Sequence, residues 1–164
     1  MEAVFIAGVT ELGPGIFNIW PRTILDESQE IELALKILPA GGKEGDLVVV
    51  SFKKEFKAAA VIIKLPAFEE SQDVRGSFAA FGFLLGENVN SLPYQNILRE
   101  IIGACTMNNI LTVSTLKRLC PELFNTLSNS ENLKLRISPD VVIELPFNPQ
   151  KSTGERLRDA MKRL

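Results

Sequence analysis

The chain has 164 residues, a formal net charge of −2 and no histidine. That length is typical of one domain, which buries roughly 70% of its unfolded surface and needs no disulfide or metal to fold. The slightly acidic balance argues against DNA or RNA as partners, because phosphate binding draws on a basic excess. Cys105 and Cys120 are the only cysteines, and two cysteines without histidine cannot close a tetrahedral zinc site. The opening MEAVFIAG lacks the basic n-region and long apolar core of a signal peptide, and no apolar run reaches the ~18 residues of a membrane span. The expectation is a reduced, cytoplasmic protein, at most peripheral to a membrane.

Val4 to Thr10 reads as a strand of β-prone apolar residues. Gly13-Pro14-Gly15 marks a turn, and Ile16, Phe17, Ile19 and Trp20 form a second strand that ends at Pro21. Strands this close pair as a hairpin. Residues 26–38 read as a helix, with Asp26 or Ser28 as cap and acidic residues in the first turn. Its apolar stripe is read as Ile31, Leu35 and Leu38, spaced by four and three.

Three strands are expected next, at 46–52, 58–65 and 77–85, joined by the turn around Lys53–Lys57 and the loop EESQDVRG. The connections are too short for crossover helices, so the three form an antiparallel meander. Their long apolar runs indicate a sheet covered on both faces. Phe81 and Phe83 point one way and Phe78 the other. Residues 93–107 form a helix with Pro93 in its first turn, and its apolar repeat includes Tyr94, Ile97, Leu98, Ile101 and Cys105. A second helical stretch spans 113–128, and Pro121 inside it is expected to kink or split it. Short β-like runs follow at 132–137 and 141–145. The fold class is α+β, a five-stranded antiparallel sheet flanked by helices. The domain covers residues 1–147, with an extension from about 130, and a basic tail occupies 148–164.

Three segments carry a family resemblance: Gly13-Pro14 ahead of Phe17, Ile19, Trp20 and Pro21; AAAVIIKLP at 58–66; and RGSFAAFGFLLG at 75–86, leading into the helix that starts at Pro93. With the element order they resemble the longin module at the N-terminal end of DENN-type, folliculin-like proteins, over residues 3–128. The resemblance implies an adaptor that pairs with another longin or a roadblock-type domain, as homodimer or heterodimer, and handles small GTPases or vesicle-trafficking machinery. It carries over no catalytic residue, and no DENN domain follows in this sequence, so nucleotide exchange is not implied.

No cofactor is expected. Gly13-Pro14-Gly15 and Gly41-Gly42-Lys43 match neither phosphate-cradling glycine pattern. Cys105 and Cys120 fall on helical apolar stripes and read as core thiols. Glu69, Glu70 and Asp73 share a loop with Arg75 and read mainly as a solvated hairpin loop. Candidate partner contacts are Trp20 and the sheet edges, the lysines Lys53, Lys54 and Lys57, and Arg75. To these the tail adds Arg156, Leu157, Met161 and Arg163. Residues 151–164 carry a net +3 against −5 for the rest. That contrast suits docking of the tail on its own domain or on a second copy, while an amphipathic helix there also fits an anionic membrane or a partner groove. Two other readings stand beside the adaptor. One is a profilin-like or sensor-like domain with an aromatic groove at Trp20 and Tyr94, binding a peptide or small ligand. The other is a small enzyme using carboxylates or a cysteine.

Overall fold

The computed structural model describes residues 1–38, 42–66, 77–129, 132–147 and 161. Five antiparallel strands form the central sheet: β1 (Ala3–Thr10), β2 (Gly13–Trp20), β3 (Leu47–Phe52), β4 (Phe56–Leu65) and β5 (Ser77–Gly86). Their spatial order is β2-β1-β5-β4-β3. Helix α1 (Glu27–Ile37) follows β2, and α2 (Leu92–Met107) and α3 (Val113–Asn129) follow β5. A separate hairpin, β6 (Asn132–Ser138) and β7 (Val141–Pro146), completes the described chain. The α+β class, the opening hairpin and the β3–β4–β5 meander are as expected from sequence.

The long apolar runs have their explanation in two cores, one on each sheet face. Ala59, Val61, Ile63, Phe81 and Phe83 point toward α2, α3 and the β6–β7 hairpin. Their neighbours Ala58, Ala60, Ile62, Ala80 and Leu84 point toward α1. Alternation along a strand therefore buries every residue of such a run. The α1 face is lined by small residues, and Gly82 is the extreme case. A Cβ there would stand 2.6 Å from Ala59 O and 2.6 Å from the Ala60 Cβ.

Helix α1 differs from its sequence reading. Leu33, Ala34 and Ile37 are buried, whereas Ile31 is 47% exposed and Leu35 58%. Leu38 of the expected stripe does pack partly against the α1-side core, but a helix lying on a sheet face with Leu33, Ala34 and Ile37 inward cannot bury Ile31 and Leu35 as well. Small Ala34 suits close approach to the alanine-rich face. The chosen orientation also carries Glu32 and Lys36 toward the β3–β4 turn, where Glu32 pairs with Lys53 at 2.5 Å and Lys36 at 3.3 Å. The Asp26 capping box with Gln29 fixes the helix start.

Pro121 does not split α3, which runs unbroken from Val113 to Asn129. Leu116, Leu119 and Cys120 before it and Leu123 and Leu127 after it keep one buried stripe. That packing offsets the lost backbone bond, worth about 3 kcal/mol in an exposed helix. The β6–β7 hairpin belongs to the same core through Leu133, Leu135, Ile137 and the adjoining Phe147. Arg118 ties it to α3 by donating to the carbonyls of Arg136 and Ile137.

Candidate interaction surface

An open sheet leaves two edges, and this chain treats them differently. At β2, Pro14 has no N–H to offer, and a bulge opposite Ile6/Ala7 leaves Phe17 out of register. Helices α1 and α3 flank that strand, and with it they enclose a groove of about 410 Å³ lined in part by Phe17, Arg22, Glu30 and Lys117. Prolines, bulges and covering elements are the usual protections of a sheet edge.

Among the described residues, none of these protections stands at β3. The pairing with β4 runs in unbroken register from Leu47↔Val61 to Phe52↔Phe56. The Ile62 N–H donates to Asp46 O at 2.9 Å, so Asp46, Val48, Val50 and Phe52 turn their backbone toward β4. The N–H and C=O groups of Leu47, Val49 and Ser51 then face outward. The Lys36 ammonium reaches one of them, Ser51 O, at 3.4 Å. The Val49 side chain, 45% exposed, lies on the α2–α3 face beyond the reach of those helices, while Val48 and Val50 pack partly against the α1-side core. The exposed Ile31 and Leu35 of α1 lie over the opposite face of the same sheet.

The lysines singled out in the sequence cluster at the C-terminal end of this edge. Lys53 adopts φ 58, pairs with Glu32 and sits 5.6 Å from the Phe52 ring centroid. Lys54 is exposed at the turn, and Lys57 is half-buried opposite Ser51. At the other end of β3, Glu44 and Asp46 supply negative charge, and Asp46 caps the turn by accepting from the Lys43 N–H at 2.9 Å. Glu32 is held below the ordinary carboxylate range, chiefly by its hydrogen bond from Lys53.

Other expected contacts fare differently. Trp20 is half-buried and packs against the α2–α3 core. Tyr94 does not line an open groove with it: its ring is buried, edge-on to Phe83 at 5.4 Å and to Phe147 at 5.1 Å. Met161 is exposed. Arg75, with Glu69, Glu70 and Asp73, lies outside the described residues, as do Arg156, Leu157, Arg163 and Gly41. Sequence reasoning missed Val49 as an exposed edge residue and placed Ile31 and Leu35 in the core. The run Val48-Val49-Val50, free of proline and charge, was the available signal.

Cys105 and Cys120 are buried, as expected, and burial pushes each thiol up to about 11. Among the described residues no cluster of three metal-ligating side chains occurs, and no helix is long and apolar enough to cross a membrane. No known protein-family model and no curated protein matches the chain.

Proposed function

We propose that the protein is a longin-like interaction module. It acts as a homodimer or as a heterodimer with a related small domain, and it scaffolds or regulates a small GTPase or a trafficking-type assembly. It does so in the cytoplasm, at most peripheral to a membrane, and it performs no catalysis of its own. The observation that carries this reading is the β3 edge, uncovered among the described residues, on a sheet whose other edge is bulged and flanked. Exposed apolar residues on α1 support it, because an apolar stripe left in water is a common mark of a protein contact. The strand and helix order, with both sheet faces covered, suits the family suggested by the sequence.

The test is direct binding. The purified chain is titrated with small GTPases in both nucleotide states and with longin and roadblock-type domains, with heat of binding as the readout. Saturable binding that weakens when Leu35 or Val49 is replaced by lysine is expected. Absence of any association, with itself or with these partners, would refute the reading.

A second reading has one observation in its favour. The β2 groove, with Arg22, Glu30 and Lys117 on its walls, has the size of a ligand site. Trp20 emission that shifts on adding proline-rich peptides or small metabolites, with saturation, would favour a profilin-like or sensor-like role.

A further inference from the structure

A cleft of about 460 Å³ lies where α3 meets the β6–β7 hairpin, with Arg118, Arg136, Thr115 and Ser138 in its lining. We infer that this cleft binds a small ligand through a phosphate monoester group, held by Arg118 and Arg136. No β3 residue takes part, so the site is a second one, beyond the interaction-module reading.

Charge supplies the first argument. The chain is acidic as a whole, yet two guanidiniums and no carboxylate line this cleft. Along the exposed face of β6, Lys134 pairs with Glu144 across the hairpin at 3.1 Å. Arg136, the next residue on that face, stands opposite Val142, and its side chain makes no hydrogen bond or ion pair among the described residues. The one carboxylate within 4 Å of Arg118 among the described residues is Glu122, at 3.8 Å, too far for a hydrogen bond, and exposed pairs at that separation contribute little. Two cations lining one cleft without an acid repel each other, and an anion bound to both removes that repulsion.

Rigidity supplies the second. Arg118 donates from Nη1 to Arg136 O at 3.1 Å and from Nη2 to Ile137 O, which fixes its guanidinium plane in the cleft wall. A fork anchored in this way offers its remaining N–H groups with little further loss of rotamer freedom. The Thr112 hydroxyl donates to Thr115 Oγ1 at 3.0 Å and accepts from the Thr115 N–H at 3.1 Å. Thr115 is thereby held with its own hydroxyl proton left for an acceptor, while the α3 amide beside it is already bonded. Phosphate oxygens suit this set, because they accept from guanidinium forks and from hydroxyls alike.

Size and the rest of the lining supply the third. The volume falls in the range of small-molecule sites and exceeds what a bare phosphate fills. Ile110 and Pro139 add apolar wall, which suits an organic group carried on the phosphate. A metal cation finds no acidic ligand among the lining side chains.

Titration of the full, nitrogen-15-labelled chain with phenyl phosphate, followed by amide chemical shifts, tests the inference. Saturable shifts centred on Thr115, Arg136 and Ser138 are expected. Arg136→Gln removes an exposed side chain that has no partner, so the fold survives and binding weakens about tenfold or more. Arg118→Lys keeps the charge but loses the fork, and it weakens binding about tenfold as well; the dispersion of each spectrum confirms that the variant is folded. Lys134→Gln removes an equal charge from the same strand outside the cleft and changes binding by no more than about twofold. Vesicles containing phosphatidylinositol 4-phosphate that bind the chain through Arg136 would uphold the site and name a lipid headgroup as its source. Inorganic phosphate bound as tightly as the phenyl ester would overturn the monoester and leave a bare-anion site. The absence of saturable shifts, shifts spread over the whole basic surface, or equal losses from Arg136→Gln and Lys134→Gln would each overturn the inference.

Discussion

Replacing Leu33 and Leu35 of α1 by alanine, one at a time, tests which way the helix faces. Leu33 is fully buried against an alanine-lined sheet face, whereas Leu35, two residues on, is 58% exposed. A buried Leu→Ala change costs about 2–5 kcal/mol, part lost transfer energy and part cavity. The cavity part is large here, because small neighbours such as Ala58, Ala60 and Ala80 have little side chain with which to fill it. We expect about 3 kcal/mol for Leu33→Ala, which in a domain of this size lowers the melting temperature by about 6–12 °C. Leu35→Ala removes a half-solvated side chain and inserts the best helix former, so its cost stays within about 0.5 kcal/mol. Urea denaturation at low protein concentration, where the monomer dominates, measures both. Equal costs, or a larger cost for Leu35→Ala, would refute the assigned orientation and remove the exposed α1 stripe from the account.

Three further outcomes follow from the same structure. Gly82→Ala forces a methyl group against Ala59 O and the Ala60 Cβ in a central strand, and it should cost about 1–3 kcal/mol in the same urea assay; a neutral result would mean the sheet gives way there. Burial raises both thiols from their ordinary value of 9.0 to about 11, so Cys105 and Cys120 should stay unlabelled by a disulfide reagent at pH 8 until the chain unfolds. The folded state then holds protons that the unfolded state has released, so this contribution to stability is complete below about pH 9 and declines from there toward 11; rapid native labelling of either thiol would contradict it. Glu30 is raised mainly by burial and then by Glu27 and Asp26, so its stabilising contribution is present below its ordinary value of 4.5 and is lost as pH rises above it. Glu30→Gln should therefore raise the melting temperature more at pH 7 than at pH 4, and the opposite order would show that Glu30 is not strained by its surroundings.

Legibility followed the amount of chain that each signal spans. The strands were readable because runs such as AAAVIIKL at 58–65 are too apolar for one-sided sheets, and both faces are in fact covered. The antiparallel meander followed from the short connections. The facing of α1 was not readable, because Ile31/Leu35/Leu38 and Leu33/Ala34/Ile37 are both helical stripes, and only the shape of the opposing face separates them. Pro121 does not break α3 because packing on both sides of it, which only the folded core reveals, outweighs the local backbone rule. The lysines at 53, 54 and 57 are legible as a cluster, but their meaning depends on β3 lying at the sheet border, and strand order is a long-range property. Trp20 reads from the sequence as a partner contact, yet it packs into the rim of the core.

The central claim is that β3 is a docking edge, and amide hydrogen exchange at Leu47 and Val49 tests it most directly. In dilute monomer both N–H groups face solvent and should exchange as fast as loop amides, while those of Val48 and Val50, bonded to β4, are slow. At high concentration, or with a bound partner domain, Leu47 and Val49 should become as protected as their neighbours. Leu47 and Val49 amides that exchange equally fast at every concentration and with every partner would contradict the account.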